Sequence, residues 1–186
     1  MKTIAIIITA LFATTGLSAQ ENNPKQLAGE TQKNEKKEQR DTLLSSQFNE
    51  TTALVNSMQF TLEADYLSNQ YGYRRFVSPT LNFIIVDSTT SVIQTGRNVG
   101  IGYNGVGGIT AKGNISSWKV QTNIKKKNTT VEMNVLTNTG FLNVVMNISA
   151  TGKTTATLTG NWPGRLVYDG HLVPLDKSLT FQGSSL

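Results

Sequence analysis

The chain contains no cysteine and only one histidine, His171, among its 186 residues. Disulfides, thiol catalysis, iron–sulfur clusters and the usual zinc sites need cysteine or several histidines, so all of these are excluded. We therefore expect no metal centre and no cofactor. Charged residues are also scarce, at 16% of the chain, which argues against disorder throughout. A chain of this length can bury a core without such cross-links.

Long hydrophobic runs are missing as well. No apolar stretch approaches the roughly 20 residues of a membrane-spanning helix, so we expect no transmembrane segment in the mature chain. Residues 1–19 combine Lys2, the apolar run IAIIITALFA and small residues up to Ala19, which is typical of a signal peptide cleaved near Ala19. No cysteine follows to receive a lipid. These features predict an exported protein, periplasmic or secreted, that is soluble after cleavage and is not a lipoprotein.

Residues 20–39 are polar, with the sequence QENNPKQLAGETQKNEKKEQ. Because this segment has almost nothing apolar to bury, we interpret it as a solvated tether. It runs into a stretch where Leu44, Phe48 and Val55 recur at helical spacing. The pattern predicts one N-terminal amphipathic helix within about residues 30–58, which closes or flanks a sheet.

After the helix, apolar and polar residues alternate, as in half-buried antiparallel strands. In the first such strand Phe60, Leu62, Ala64 and Tyr66 share the face that we expect to be buried. We predict a mainly β fold, an antiparallel sandwich or partly closed barrel of about eight or nine strands, in a single domain over residues 40–186. The predicted strands, separated by turns rich in Gly, Asn and Pro, are 59–66, 81–86, 91–95, 108–112, 117–125, 130–136, 142–148, 154–160 and 166–173.

The predicted strands carry enough large apolar side chains to fill a small barrel. Barrels of about eight strands either pack their interior with side chains or hold one small ligand. We expect a packed interior without a sizeable apolar cavity, which makes a lipid or haem carrier the weaker form of a binding function. The side chains expected to fill the interior are Trp118, Val120, Ile124, Val131, Met133, Val135, Val144, Met146 and Ile148.

Three motifs were considered for chemistry. Residues 100–105 fit the glycine spacing of nucleotide-binding loops, but the following residues resemble a strand and not the required helix, so we expect turns and close backbone approach. Asp169 and His171 lie on one strand face without a partnering serine motif. Glu63 and Asp65 give only weak support for calcium binding or glycoside hydrolysis. No catalytic, cofactor-binding or metal-binding residue is assigned.

Positive charge concentrates in the β-rich part of the chain. Residues 58–186 hold 11 Lys and Arg against 6 Asp and Glu, whereas residues 20–57 hold 5 against 6. Two basic clusters lie in or beside predicted turns, and together they form the candidate interaction surface. Its residues are Arg74, Arg75, Lys125, Lys126 and Lys127.

These clusters have two interpretations. They are solvated turns that keep neighbouring chains apart, or they contact an unknown envelope protein or an anionic polymer. Nucleic acid is not an expected partner, because the chain is predicted to be exported and both Trp118 and Tyr66 are predicted to face the core.

Several short motifs in the β-rich part of the chain form a recognisable set. They are Phe60-x-Leu62-x-Ala64-Asp65, Asn82-Phe83-Ile84, Gly105-x-Gly107-Gly108-Ile109-Thr110-x-x-Gly113, Ala156 and Leu166-x-Tyr168-x-Gly170-x-Leu172. This set resembles a domain-of-unknown-function family of small secreted Bacteroidetes proteins. The resemblance covers about residues 40–183 and implies export and an antiparallel β domain. The family has no assigned activity, so it implies no site residue.

Two functions stay open. The protein is a non-enzymatic binding or interaction protein of the bacterial cell envelope, or it is a hydrolase acting on an envelope polymer.

Overall fold

A computed structural model describes residues 24–97 and 102–185, with side chains from residue 32 onward. The chain divides into two compact units, residues 1–38 and residues 39–186. In the first unit the described residues are helical. The predicted signal peptide and its cleavage at Ala19 lie outside the described residues. No helix in the described part of the chain is long and apolar enough to cross a membrane.

Helix α1 spans Pro24–Ser57, so it begins inside the segment interpreted as a tether. This segment is rich in Lys, Glu and Gln, which have high helix propensity, and proline is tolerated in a first turn. Side chains 32–43 are exposed. Apolar contacts begin further along the helix, where Phe48 and Val55 are buried.

Among the described residues, nine antiparallel strands follow the helix. A short 3₁₀ helix, Leu175–Lys177, comes after the last strand. The sheet order is β2-β1-β3-β4-β5-β6-β7-β8-β9, and β1 also pairs with β9. This last pairing closes an eight-stranded barrel, to which β2 adds one extra strand beside β1. The predicted fold class is confirmed, with the barrel fully closed. The strands are β1 Gln59–Asn69, β2 Arg74–Phe76, β3 Phe83–Asp87, β4 Thr90–Thr95, β5 Ile109–Asn123, β6 Asn128–Thr137, β7 Gly140–Ser149, β8 Lys153–Gly160 and β9 Leu166–Pro174.

Two strands differ from the sequence prediction. The predicted strands 108–112 and 117–125 are one strand, β5, which runs through Gly113 and changes register between Ile115 and Ser117. Strand β2 was not predicted, because three exposed residues are too few to show an alternation.

A β-bulge in β1 overturns the predicted burial of Tyr66. Opposite β9, Ala64 pairs with Gly170 but Tyr66 pairs with Asp169, so one residue of β1 has no partner. An extra residue reverses the alternation of faces. Tyr66 is consequently 36% exposed, and its ring contacts Phe76 edge-on at 5.5 Å between centroids.

The barrel interior is filled through most of its length. Phe60, Met133 and Met146 are among the largest fully buried side chains. The predicted interior position of Ile124 is wrong: this residue lies in the turn just after β5, where its side chain is 77% exposed. Trp118 is partly buried and packs against the core, with its ring 6.2 Å from that of Phe60.

The C-terminal end of α1 closes one end of the barrel. Val55 is fully buried in the barrel core. The hydroxyl of Thr51 donates a 3.0 Å hydrogen bond to the carbonyl of Ala150, in the turn between β7 and β8. The connections β1–β2, β4–β5, β6–β7 and β8–β9 lie at the opposite end, which we call the mouth.

Truncation of the helix side chain in the core should destabilise the fold. We expect Val55→Ala to lower the free energy of unfolding by about 1–3 kcal/mol, because it removes buried methyl groups. Leu43→Ala is the control on the same helix, since Leu43 is 60% exposed, and it should change stability by less than about 0.5 kcal/mol. Urea unfolding followed by circular dichroism measures both. Equal losses would show that the helix does not close the barrel.

Candidate functional site

An apolar cavity of about 640 Å³ opens at the mouth of the barrel. Its floor consists of inward-facing core side chains, and Ile93, Leu142 and Leu158 are each only 4% exposed. Residues of the β1–β2 and β8–β9 connections form its rim, including Tyr71 and Trp162. We call this space the mouth cavity.

The prediction of a packed interior without a sizeable cavity is therefore wrong at this end. The middle of the barrel is packed, and α1 closes the other end. At the mouth, however, β4, β5 and the β6–β7 turn contribute the small side chains of Thr95, Ala111 and Thr139. These side chains are too short to meet across the barrel, so the space between them stays open.

Tyr168 forms part of the cavity wall and is fully buried. Its hydroxyl donates a 3.2 Å hydrogen bond to the carbonyl of Gln94. Burial raises the pKa of the Tyr168 phenol, because the phenolate loses its hydration. The phenol therefore stays neutral at physiological pH, and this wall of the cavity carries no charge.

The aromatic rim is held by the local backbone. Trp162 lies directly against Gly160, where any side chain would collide with the indole. In the β1–β2 turn the side-chain oxygen of Asn69 accepts hydrogen bonds from the backbone N–H groups of Tyr71, at 3.0 Å, and Tyr73, at 3.1 Å. Tyr71 is 75% exposed. The rim thus presents aromatic surface at the opening of an apolar cavity.

A second, basic cleft of about 770 Å³ adjoins the mouth cavity. The two spaces share Asn69, Thr95, Ile109 and Leu166 as lining residues. The lining of the basic cleft includes three arginines, and a fourth lines the mouth cavity, whereas no Asp or Glu is among the described lining residues of either. We call the basic space the arginine cleft, after Arg74, Arg75 and Arg97.

The glycine-rich motif forms a loop beside these clefts. Gly102, Gly105 and Gly107 have φ angles of +48°, +76° and +74°, which favour glycine. A side chain on Gly108 would collide with the carbonyl of Thr95. The expectation of turns and close backbone approach is confirmed for the described part of the motif, while Gly100 and Ile101 lie outside the described residues.

Two buried amides organise this loop. The side-chain oxygen of Asn104 accepts hydrogen bonds from the N–H groups of Val106, at 3.1 Å, and Gly108, at 2.9 Å. Gln94 donates to the carbonyl of Phe181 at 2.9 Å and accepts from the N–H of Gly183 at 2.8 Å. The two amides therefore fix the loop and the C-terminal segment against β4.

The structure does not bring the two predicted basic clusters together. Arg74 and Arg75 lie on β2 near the mouth. Lys125, Lys126 and Lys127 form the β5–β6 turn at the opposite end, where the Lys127 amine donates to the carbonyl of Asp41 on α1 at 3.3 Å. They are two separate surfaces.

Asp169 and His171 do not act as a pair either. A carboxylate oxygen of Asp169 lies 3.4 Å from Arg74 Nε, and the other accepts a 2.7 Å hydrogen bond from the Thr155 hydroxyl. His171 Nδ1 lies 3.1 Å from a carboxylate oxygen of Asp65 on the outer face of the barrel. Within the described residues, no group of three His, Asp or Glu side chains is arranged to hold a metal ion.

No sequence pattern marks several of the residues that line the mouth. Arg97, Trp162 and Arg165 stand in loops, where no periodicity marks them. The available signal was topological: in an antiparallel barrel every second connection lies at the same end. Thr95 and Ile109, which flank the β4–β5 connection, therefore line the same cavity as residues 162–165, although they are distant in the chain.

These features define a small closed antiparallel β-barrel with a helix at one end and a ligand-sized opening at the other. A family model, Domain of unknown function (DUF4251), matches residues 43–172, so the chain belongs to the DUF4251 family. It is also similar to a crystal structure of a DUF4251 family protein from Bacteroides eggerthii, with 26% sequence identity and a TM-score of 0.60 over 72% of this chain and 91% of that one. No curated protein shows significant similarity.

Removal of the Asn104 amide should loosen the loop beside the clefts. Asn104 is 1% exposed, so Asn104→Ala leaves the partly buried N–H groups of Val106 and Gly108 without their partner. We expect a loss of about 1–3 kcal/mol in the free energy of unfolding, measured in urea. The control Asn143→Ala removes an exposed amide hydrogen bond to Asn134 and should cost less than about 0.5 kcal/mol. A neutral effect of Asn104→Ala would contradict this role.

Proposed function

We propose that the protein is a non-enzymatic binding protein that holds a small apolar molecule in the mouth cavity. The observation that carries this proposal is an apolar cavity of about 640 Å³ whose floor is the barrel core itself. Pockets for drug-sized ligands have volumes of roughly 300–1,000 Å³ and are lined mostly by apolar and aromatic side chains. Because one small ligand fits inside a barrel of this strand number, the architecture suits the function.

The side chains that line the mouth cavity favour a binding function over a hydrolytic one. A hydrolase needs a base or a nucleophile within hydrogen-bond reach of its substrate. Among the described residues, no His, Asp or Glu lines the mouth cavity. His171 lies on the outer face of the barrel, with its side chain 59% exposed. The alternative of a hydrolase acting on an envelope polymer therefore has no support from this site.

The place of action that we propose is the cell envelope. This part of the proposal is supported by the sequence pattern of residues 1–19, which is typical of a signal peptide. A contact between the exposed turn Lys125 to Lys127 and an acidic envelope protein or polymer also stays a prediction. That turn lies at the opposite end of the barrel from the mouth, so a partner bound there would leave the ligand site free.

Binding can be tested with the uncharged fluorescent probe N-phenyl-1-naphthylamine, whose emission rises in apolar surroundings. We expect saturable binding, and we expect Ala111→Phe to weaken it at least tenfold because the added ring occupies the cavity. Ala53→Phe is the control, since Ala53 is exposed on α1. Circular dichroism verifies that both variants fold.

A series of primary alcohols then measures the depth of the cavity by displacing the probe. Each CH₂ group that enters should raise the affinity about fourfold, which corresponds to about 0.8 kcal/mol of apolar transfer, until the cavity is full. The proposal is overturned if the wild-type protein shows no saturable probe binding, or if Ala111→Phe binds as well as the control.

A further inference from the structure

We propose that the ligand is a single-chain amphiphile with an anionic oxygen-rich head group, either carboxylate or phosphate. This inference rests on the proposed function. The apolar chain would lie in the mouth cavity and the head group in the arginine cleft. The two spaces adjoin, because Thr95, Ile109 and Leu166 line both of them.

The charged side chains among the described lining residues of the two spaces are all positive. Arg75 and Arg97 line the arginine cleft, Arg165 lines the mouth cavity, and all three side chains are exposed. None of them makes an ion pair or a side-chain hydrogen bond with a residue that the structure describes. Since like charges that share a cleft repel each other, an anion that enters the cleft relieves this repulsion.

Arg74 differs from these three arginines. Its guanidinium lies 3.8 Å from the centroid of the Tyr66 ring, and its Nε lies 3.4 Å from a carboxylate oxygen of Asp169. The carboxylate of Asp169 already compensates part of the charge of Arg74, whereas the other three arginines have no such partner among the described residues. We therefore assign the head-group contacts to Arg75 and Arg97, with Arg165 at the entrance to the cavity.

The backbone of Arg97 is fixed before any ligand binds. Its N–H donates to the carbonyl of Val106 at 2.8 Å. The preceding residue, Gly96, donates its N–H to the Asn82 side-chain oxygen at 2.9 Å and accepts from the Asn82 amide nitrogen at 3.1 Å. Because the backbone at Arg97 is already ordered, only its side chain has to be ordered when an anion binds.

The hydrogen-bonding geometry of the guanidinium group determines which head groups the arginine cleft can bind. Its planar array of N–H donors matches the oxygens of a carboxylate or a phosphate in a two-pronged hydrogen bond. A neutral hydroxyl gains no such charge-assisted bond, and an ammonium head group is repelled. The cleft thus selects anions, while the mouth cavity selects an apolar chain.

The test compares four amphiphiles with the same twelve-carbon chain, each below its micelle-forming concentration, as competitors of N-phenyl-1-naphthylamine. Dodecanoate and dodecyl phosphate should have dissociation constants at least tenfold lower than that of dodecanol, measured by displacement of the probe. Dodecyltrimethylammonium should bind most weakly of the four. The advantage of the anions should shrink with added salt, because exposed charges are screened within about 8 Å at physiological ionic strength. Comparing the two anions shows which head group the cleft prefers.

Charge removal locates the head group. The double variant Arg75→Gln/Arg97→Gln should reduce the advantage of the anions over dodecanol to threefold or less and leave dodecanol binding unchanged. Lys125→Gln/Lys126→Gln is the matched control, because it removes two positive charges at the opposite end of the barrel and should leave the advantage intact.

The outcomes separate the two proposals. If the probe and all four amphiphiles fail to bind, the mouth cavity is not a ligand site and both proposals are overturned. If dodecanol and the anions bind equally, the cavity stands and the anionic head group is wrong. If the anions bind more tightly but the arginine variant keeps that preference, the assignment to Arg75 and Arg97 is wrong.

Discussion

The pairing of β1 with β9 is the constraint on which the rest of the structure depends. It runs from Phe60 opposite Pro174 to Asn69 opposite Leu166, so the first and last strands of the sheet satisfy each other's backbone groups. A closed sheet has no free edge between its first and last strands, and each strand must then send alternate side chains inward. The single apolar core is a consequence of this closure, and so is the existence of two distinct barrel ends.

The helix closes one end of the barrel and leaves the other end open, and this difference creates the mouth cavity. At one end the helix inserts Val55 into the core, and the hydroxyl of Thr51 binds the β7–β8 turn. At the other end, the described parts of the connections surround the opening without crossing it. Because the small side chains of Ala111 and Thr139 form part of the cavity wall, the core surface of Leu142 remains reachable from outside. A pocket results without any break in the barrel wall.

Sequence periodicity could predict most strands because half-burial imposes an alternation that a local window detects. It placed Tyr66 in the core because a bulge depends on the partner strand: β9 offers Gly170, which has no side chain to keep the backbones apart. It placed Ile124 inside because the end of β5 is set by pairing with β6, which begins at Asn128. The cavity depends on which side chains share one level of the closed barrel, and no local pattern contains that information.

The motifs that carry the family resemblance act on the site through the backbone. Asn82 holds Gly96, and the glycine loop brings the carbonyl of Val106 to the N–H of Arg97. Asn104 in turn holds the loop itself, with its amide buried. The residues that look most specific in the sequence are therefore positioning groups, and the side chain that they place at the mouth is an arginine that no motif marks. In a barrel of this kind, the search for a ligand contact should begin at the residues that the motifs hold in place.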